Sequence, residues 1–234
     1  MPSKRHLKSI NTPKNWPIKR KENTYLAKPR AGPHKLRESI TINLLLKNVL
    51  GYAKTSREVK KILNDKKLLV DKKARKDQRL PVGLMDIIEI PELNEHYIVL
   101  IDEKGKLTLH KISKQDSNHK ICKIIGKTHL KKKKIQLNLY DGKNLLIDKD
   151  DYKVGDSVII DLEKNKIIKH LKLEKGAIAL LTSGAYLGRF GTIEGIKKQE
   201  GLLPASVTLI SGKDKFETRK DFVFVVEQSI IPKK

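Results

Sequence analysis

Apolar positions along this chain follow two different periods, and the change between them divides it. From residue 41 the spacing is helical: Ile42, Leu45, Leu46, Val49 and Leu50 fall at i, i+3, i+4, i+7 and i+8, the stripe of a helix with one buried side. The pattern predicts a helix from Thr41 to about Tyr52, closed by Gly51 and a turn at Lys54-Thr55. A second helix opens at Thr55-Ser-Arg-Glu58, a capping box in which hydroxyl and carboxylate each satisfy a free backbone N–H. Its Val59, Ile62 and Leu63 face inward, while Arg57, Lys60 and Lys61 recur at i, i+3 and i+4 and share the other side. Leu68–Val70 then reads as a strand, Asp71–Lys73 as a turn and Asp86–Ile90 as a closing strand.

Beyond about residue 91 the period falls to two. Strands are predicted at Tyr97–Ile101, Leu107–Ile112, Lys134–Leu139, Asn144–Ile147 and Ser157–Leu162. The same style continues at Ala177–Leu181, Gly191–Ile196, Ser206–Ile210, Lys215–Arg219 and Phe222–Val226. Short strands joined by Gly, Asp and Asn turns point to small barrels or half-open sheets. Residues 1–31 show neither period. Pro13, Pro17 and Pro29 among many cations predict a basic tail with little core of its own, with Trp16 and Leu26 available as anchors.

Charge changes this picture most. The 234 residues hold 51 Lys+Arg against 27 Asp+Glu, a net charge of +24. That is far beyond what solubility needs and favours a nucleic acid or an anionic membrane surface. The excess is concentrated early: residues 1–40 carry 11 basic and 2 acidic groups, residues 173–234 carry 10 and 7. Seven of the nine arginines precede residue 92. Because the guanidinium fork suits phosphate and guanine edges, polyanion contacts are expected to be densest in the first 91 residues. A 33% charged, 5% aromatic chain builds thin cores, which fits a string of modules better than one thick enzyme domain. The single cysteine, Cys122, excludes an internal disulfide framework and a Cys-based zinc site. The longest apolar runs are of strand length, far short of a membrane span, and the basic N-terminus has no apolar signal-peptide segment. A soluble intracellular protein is expected.

The segment Gly184-Ala-Tyr-Leu-Gly188-Arg-Phe-Gly191 places three glycines between two predicted strands. Glycines there can bring backbone N–H groups close to a phosphate, with Arg189 at the tip. No Gly-Lys-Ser/Thr follows, so it is not a nucleotide P-loop. The alternative is a turn that merely needs positive φ. Lys131–Lys134 reads equally as a solvated loop or a phosphate contact. Asp148, Asp150, Asp151 and Asp156 lack EF-hand spacing and are interrupted by lysines, so they read as turn residues. The histidines have no metal-ligand spacing. There is no nucleophile elbow or Cys/His pairing, so no catalytic residue, metal or cofactor is assigned.

Several motifs are recognisable together. Arg5-His-Leu-Lys8, Pro13-Lys-Asn-Trp16, Gly32-Pro-His-Lys-Leu-Arg-Glu38, the helix pair with Ser56-Arg-Glu-Val-Lys-Lys61, and Pro81-Val-Gly-Leu-Met-Asp86 occur in that order. Downstream come Gly184–Gly191, Phe216-Glu-Thr-Arg219 and Phe222-Val-Phe224. Co-linear over nearly the whole chain, they resemble the archaeal and eukaryotic S-four-e family of small-subunit ribosomal proteins. The stop at Lys234 suggests an archaeal member. The resemblance implies an α+β multidomain chain. It has a basic N-terminal extension (1–31), an S-four-type RNA-binding domain (32–91), a central β domain (92–173) and a C-terminal KOW domain with an SH3-like β-barrel (174–234).

The resemblance also implies a structural constituent of the small subunit, cytoplasmic and in the ribosome, whose partners are small-subunit ribosomal RNA and neighbouring ribosomal proteins. A membrane and a small-molecule substrate are not among them. The RNA-binding candidates are Arg5, Lys8, Lys14, Lys35 and Arg37 in the arm and its junction, and Arg57, Lys60 and Lys61 on the second helix. Lys72, Lys73, Arg75 and Arg79 on the hairpin, and Gly184, Gly188 and Arg189 in the glycine segment, complete the set. Two alternatives compete. S-four-type domains are also appended to RNA-modifying enzymes and tRNA synthetases, but here no catalytic domain follows residue 91. KOW modules also occur in transcription elongation factors, against which the platform and basic arm argue.

Overall fold

Helix formation begins where the spacing predicts it and stops early. In the computed structural model, which describes residues 6–131, 134–148, 150–197, 204–212 and 214–228, helix α1 spans Ile42–Leu44. Thr41 caps it, its Oγ1 accepting from the Leu44 N–H at 3.4 Å. The chain continues as a π-helical turn over Leu45–Val49, with the Leu50 N–H bonded to the Leu45 carbonyl at 2.9 Å. It therefore ends at Val49 rather than near Tyr52. The wider turn lets the consecutive Leu44, Leu45 and Leu46 all bury, which a single 3.6-residue stripe would not.

Helix α2 (Ser56–Asn64) carries both halves of its capping box. Thr55 Oγ1 accepts from the Glu58 N–H at 3.3 Å, and Glu58 Oε2 accepts from the N–H groups of Lys54 at 2.7 Å and Thr55 at 3.4 Å. The Lys54 N–H first, then the Thr55 hydroxyl, hold the Glu58 carboxyl below its usual range. Val59 and Leu63 are completely buried.

Two units are distinguished by their internal contacts: residues 1–101 with 105–118, and residues 102–104 with 119–234. In the first, β1 (Leu7–Lys8) pairs antiparallel with β2 (Tyr25–Leu26). β3 (Ser39–Thr41), β4 (Leu69–Val70), β5 (Lys73–Ala74), β6 (Pro81–Gly83), β7 (Ile87–Ile90), β8 (Glu95–Ile101) and β9 (Leu107–Lys111) follow. β3 pairs with β6, and the others form one antiparallel sheet in the order β5-β4-β7-β8-β9. The strands at 95–101 and 107–111, which the period change grouped with the later β region, thus extend the sheet beside the helices. The reason is packing: Val99 and Leu107 share one core with Ile42, Leu45, Val59, Leu63 and Ile88.

The basic N-terminal segment joins this core as well. Trp16 is 2% exposed, and its Nε1 donates to the Ser39 carbonyl at 2.6 Å. Asn15 Nδ2 donates to the Arg37 carbonyl at 2.6 Å, and the Leu107 N–H to the Asn15 carbonyl at 2.9 Å. Deeper in, His34 Nε2 lies 2.9 Å from Asp86 Oδ2, and the Gly83 N–H donates to the same oxygen at 2.9 Å. A Cβ on Gly83 would sit 2.4 Å from the His34 ring, so glycine is what leaves room for this buried pair. The Gly32–Glu38 and Pro81–Asp86 motifs are therefore fastened to each other.

In the second unit, β10 (His119–His129), β11 (Ile135–Leu139), β12 (Asn144–Ile147), β13 (Ser157–Asp161) and β14 (Ile167–Leu171) form a sheet in the order β12-β11-β10-β13-β14. β10, which no alternation announced, is its centre. Residues 119–123 pair with β13 and residues 124–129 with β11, with a register shift between Ile124 and Gly126. Lys120 and Lys123 are buried in it. Lys120 Nζ lies 3.2 Å from Asp141 Oδ2, and Lys123 Nζ donates to the Asp221 carbonyl at 2.6 Å. Burial first, with Lys220 nearby and opposed by Asp221, pulls the Lys123 ammonium down to about 8.

The last sheet joins β15 (Ile178–Leu181), β16 (Phe190–Lys197), β17 (Ser206–Ser211), β18 (Asp214–Arg219) and β19 (Val223–Val225) in the order β18-β17-β16-β15-β19. Its core gathers Ala179, Leu181, Ile193, Val207, Leu209, Phe216, Val223 and Val225. The architecture is α+β and rich in strand. Among the described residues no helix is long and apolar enough to cross a membrane.

Candidate nucleic-acid interface

The amphipathicity of α2 creates the clearest charged face. With Val59 and Leu63 turned into the core, Arg57, Lys60 and Lys61 are left exposed on the opposite side. Among the described residues none of the three has a carboxylate partner. Three uncompensated cations within two helical turns raise the local potential without any internal neutralisation.

The hairpin cations divide. Asp71 and Lys72 both adopt positive φ, at 50° and 61°, in the turn between β4 and β5. That turn folds Lys72 back onto Glu89, a carboxylate 4% exposed, at 2.9 Å. Lys72 thereby neutralises a buried charge and is not part of the exposed set. Lys73 is exposed. Arg75 is half-buried, and its buried Nε has no acceptor among the described residues. Arg79 holds the N-terminal segment: its Nε donates to the Lys28 carbonyl at 2.8 Å, and its own carbonyl accepts from the Arg30 N–H at 3.0 Å.

In the N-terminal segment Arg5 lies outside the described residues. Lys8 is exposed on β1, opposite Tyr25 on β2. Lys14 is exposed in the turn that Asn15 ties to the Arg37 carbonyl, and Lys35 and Arg37 are exposed on the 3-10 turn at Leu36–Glu38. The hydrogen bond between Asn15 and Arg37 brings the basic arm and the platform's entry onto one edge.

In the glycine segment Gly184 and Gly188 take φ of 94° and 79°, so both need the left-handed freedom of glycine. The Gly188 N–H is already bonded to the Leu181 carbonyl at 2.9 Å, and the Leu181 N–H to the Arg189 carbonyl at 3.0 Å. The backbone of Gly188 therefore closes the β15–β16 hairpin instead of offering a free donor, and Arg189 sits at the loop's return rather than its tip. Its side chain lies over Tyr186, 5.6 Å from the ring centroid, and pairs with Asp214 at 3.4 Å. Tyr186 in turn stacks on Phe216 at 4.3 Å and 18°. The order Arg189-Tyr186-Phe216 is a partly exposed π-stack, and sequence reasoning missed its two aromatic members. Tyr186 lay in the motif quoted for its glycines; Phe216 is 30 positions downstream in number and reaches it only through the β16–β18 meander.

Two other basic or acidic runs contribute less. Lys132 and Lys133 lie outside the described residues. Asp156 is buried and spent internally, accepting from the N–H groups of Lys153 at 3.1 Å and Leu173 at 3.0 Å, with His170 Nε2 2.7 Å away.

Comparison with known proteins identifies the family. The RS4NT (NUC023) domain matches residues 1–37, and the family described as Ribosomal family S4e matches residues 93–167. The small ribosomal subunit protein eS4 of Methanococcus aeolicus is 42% identical over 95% of this chain and 94% of its own length. That of Methanosphaera stadtmanae is 43% identical over 97% and 94%. The crystal structure of the 30S ribosomal protein S4e from Thermoplasma acidophilum aligns with a TM-score of 0.70 at 31% identity, over 81% of this chain and 95% of that one.

Proposed function

The chain belongs to the ribosomal family S4e, on its archaeal side, and from that membership we propose how it holds ribosomal RNA. It is a structural constituent of the small ribosomal subunit, working in the ribosome in the cytoplasm, and not an enzyme. Its partners are small-subunit ribosomal RNA and the proteins beside it in the subunit. The primary RNA contact is the outer face of α2, through Arg57, Lys60 and Lys61, extended by Lys73 and Arg75 on the hairpin and by Lys14, Lys35 and Arg37 on the arm edge. Lys8 adds a phosphate contact from β1. Lys72 acts inside the protein, on Glu89, and Arg79 holds the N-terminal segment through its Nε. Gly184 and Gly188 shape the loop that presents Arg189.

The observation that carries this reading is the one-sidedness of α2: Val59 and Leu63 are fully buried, and the outward cations have no carboxylate partner among the described residues. The division into an S-four-type platform, a central β domain and a KOW module with an SH3-like barrel has its own support. The strand order β18-β17-β16-β15-β19, a four-strand meander closed by a fifth strand on the first, suits a small SH3-like barrel. Titrating the full chain with small-subunit ribosomal RNA tests the function. Neutralising several phosphates releases their counterions, so affinity should fall about 10³-fold or more between about 50 and 200 mM salt. Binding insensitive to salt would overturn it.

A further inference from the structure

The N-terminal segment does more than cover the platform. Between β2, the π-helical turn and the loop before β6 it leaves a cleft of about 460 Å³, within the size range of small-ligand sites. We infer that this cleft takes one unstacked nucleotide of single-stranded ribosomal RNA, a reading that rests on the RNA-binding function above and adds a specific pocket to it.

Several observations converge on that ligand. Tyr25, at the mouth of the cleft, is 57% exposed, although a large aromatic side chain gains by burial. His6 meets the Tyr25 ring edge-on at 5.7 Å, which fixes the ring and leaves a face for a base to stack on. Lys28, Lys47 and Arg79 line the walls, and Lys8 stands opposite Tyr25 in the β1–β2 register. No carboxylate is among the described residues that line the cleft, so a basic tail of a neighbouring protein would be repelled where a phosphate is attracted. Lastly, Asn43 at the floor is 4% exposed and locked: its Nδ2 donates to Ser56 Oγ and to Gln78 Oε1, both at 3.1 Å. Its Oδ1 is left as an oriented acceptor for a base N–H. Lys47 is presented by the π-helical turn, a distortion of helical winding that recurs at functional sites.

The test uses the full chain with short single-stranded RNA oligomers and, separately, duplex RNA of equal length. Tyr25→Ala should weaken single-strand binding about tenfold or more, since one base loses its stacking partner, while Tyr25→Phe keeps it and duplex binding is unchanged. Lys47→Gln, which removes a wall cation without touching the ring, should also weaken single-strand binding and lower its salt slope by about 1. If Tyr25→Ala and Lys47→Gln bind single strands as tightly as the unaltered chain, the cleft is not a nucleotide site, and the broader function stands. If the unaltered chain binds neither RNA, the functional reading itself fails and the cleft falls with it. Binding of an acidic peptide in the cleft with no loss of single-strand affinity in the variants would also overturn the proposal.

Discussion

Replacing Arg57, Lys60 and Lys61 together by glutamine should lower the affinity of the chain for small-subunit ribosomal RNA by about 10²–10³-fold at 0.1 M salt. The size follows from counterion release. Each phosphate contact contributes roughly 0.7–0.9 to the slope of log affinity against log salt, so three lost contacts flatten that slope by about 2 to 3. At 0.1 M salt the same change is about two to three powers of ten in affinity. Glutamine is chosen because its helix propensity is close to that of arginine and lysine, and because the three side chains are exposed. The fold should be untouched, with an unchanged urea midpoint. A matched triple change elsewhere among the surface lysines, Lys164, Lys166 and Lys172, provides the comparison for net charge alone. Equal losses in both triples would mean that the chain binds by diffuse charge, not by the α2 face.

The second large effect concerns the buried ion pair of the central sheet. Asp141 lies in the Tyr140–Lys143 turn, and Lys120 in β10; both side chains are 2% exposed and 3.2 Å apart. Burial alone would push the Asp141 carboxyl up. Lys120, Lys143 and the Lys143 N–H overcome that and hold it below the usual carboxylate range. Asp141→Ala leaves a buried ammonium without its carboxylate and should cost about 3–5 kcal/mol, read from urea unfolding at pH 7. Replacing both partners, Lys120→Met with Asp141→Leu, should recover most of the loss, because the desolvation of two charges is removed with the attraction between them.

The pH dependence has a definite sign. A carboxyl whose folded pKa is depressed contributes stability that is present above its unfolded pKa, near 4, and is lost as the pH falls through the folded value. The gap between the unaltered chain and Asp141→Ala should therefore be full at pH 7 and shrink in strong acid. A cost below about 1 kcal/mol at pH 7 would mean that the pair behaves as a solvated surface bridge.

These two sites mark the boundary of what could be read from the residues in order. α2 was legible down to its capping box, because every determinant lies within nine consecutive residues: Thr55 and Glu58 at the start, Val59 and Leu63 inward, the three cations outward. β10 was illegible for the opposite reason. Lys120 and Lys123 occupy buried positions that alternation reads as exposed, and the groups that make this tolerable, Asp141 and the Asp221 carbonyl, are supplied by distant turns. The register shift at Ile124–Gly126 breaks the period again.

The candidate interface shows the same limit. A lysine in a sequence cannot be distinguished from its neighbour until the turn geometry is known. Lys72 and Lys73 are adjacent, yet positive φ at Lys72 commits it to Glu89 and leaves Lys73 in solvent. The early helix end had no sequence signal, since Val49 and Leu50 continue the apolar stripe; the three buried leucines at 44–46 favour the wider winding. The nucleotide cleft needed Tyr25, Asn43 and Arg79, drawn from three separate segments, and no local pattern joins them.

Lysine-acylation footprinting of the chain, free and assembled in the small subunit, tests the central claim most directly. Lys60, Lys61 and Lys73, exposed and without a carboxylate partner among the described residues, should react readily in the free chain and lose most of that reactivity in the subunit. Lys72, held on Glu89, should react slowly in both. If Lys60 and Lys61 are modified in the assembled subunit as fast as in the free chain, the α2 face is not on ribosomal RNA and the account is contradicted.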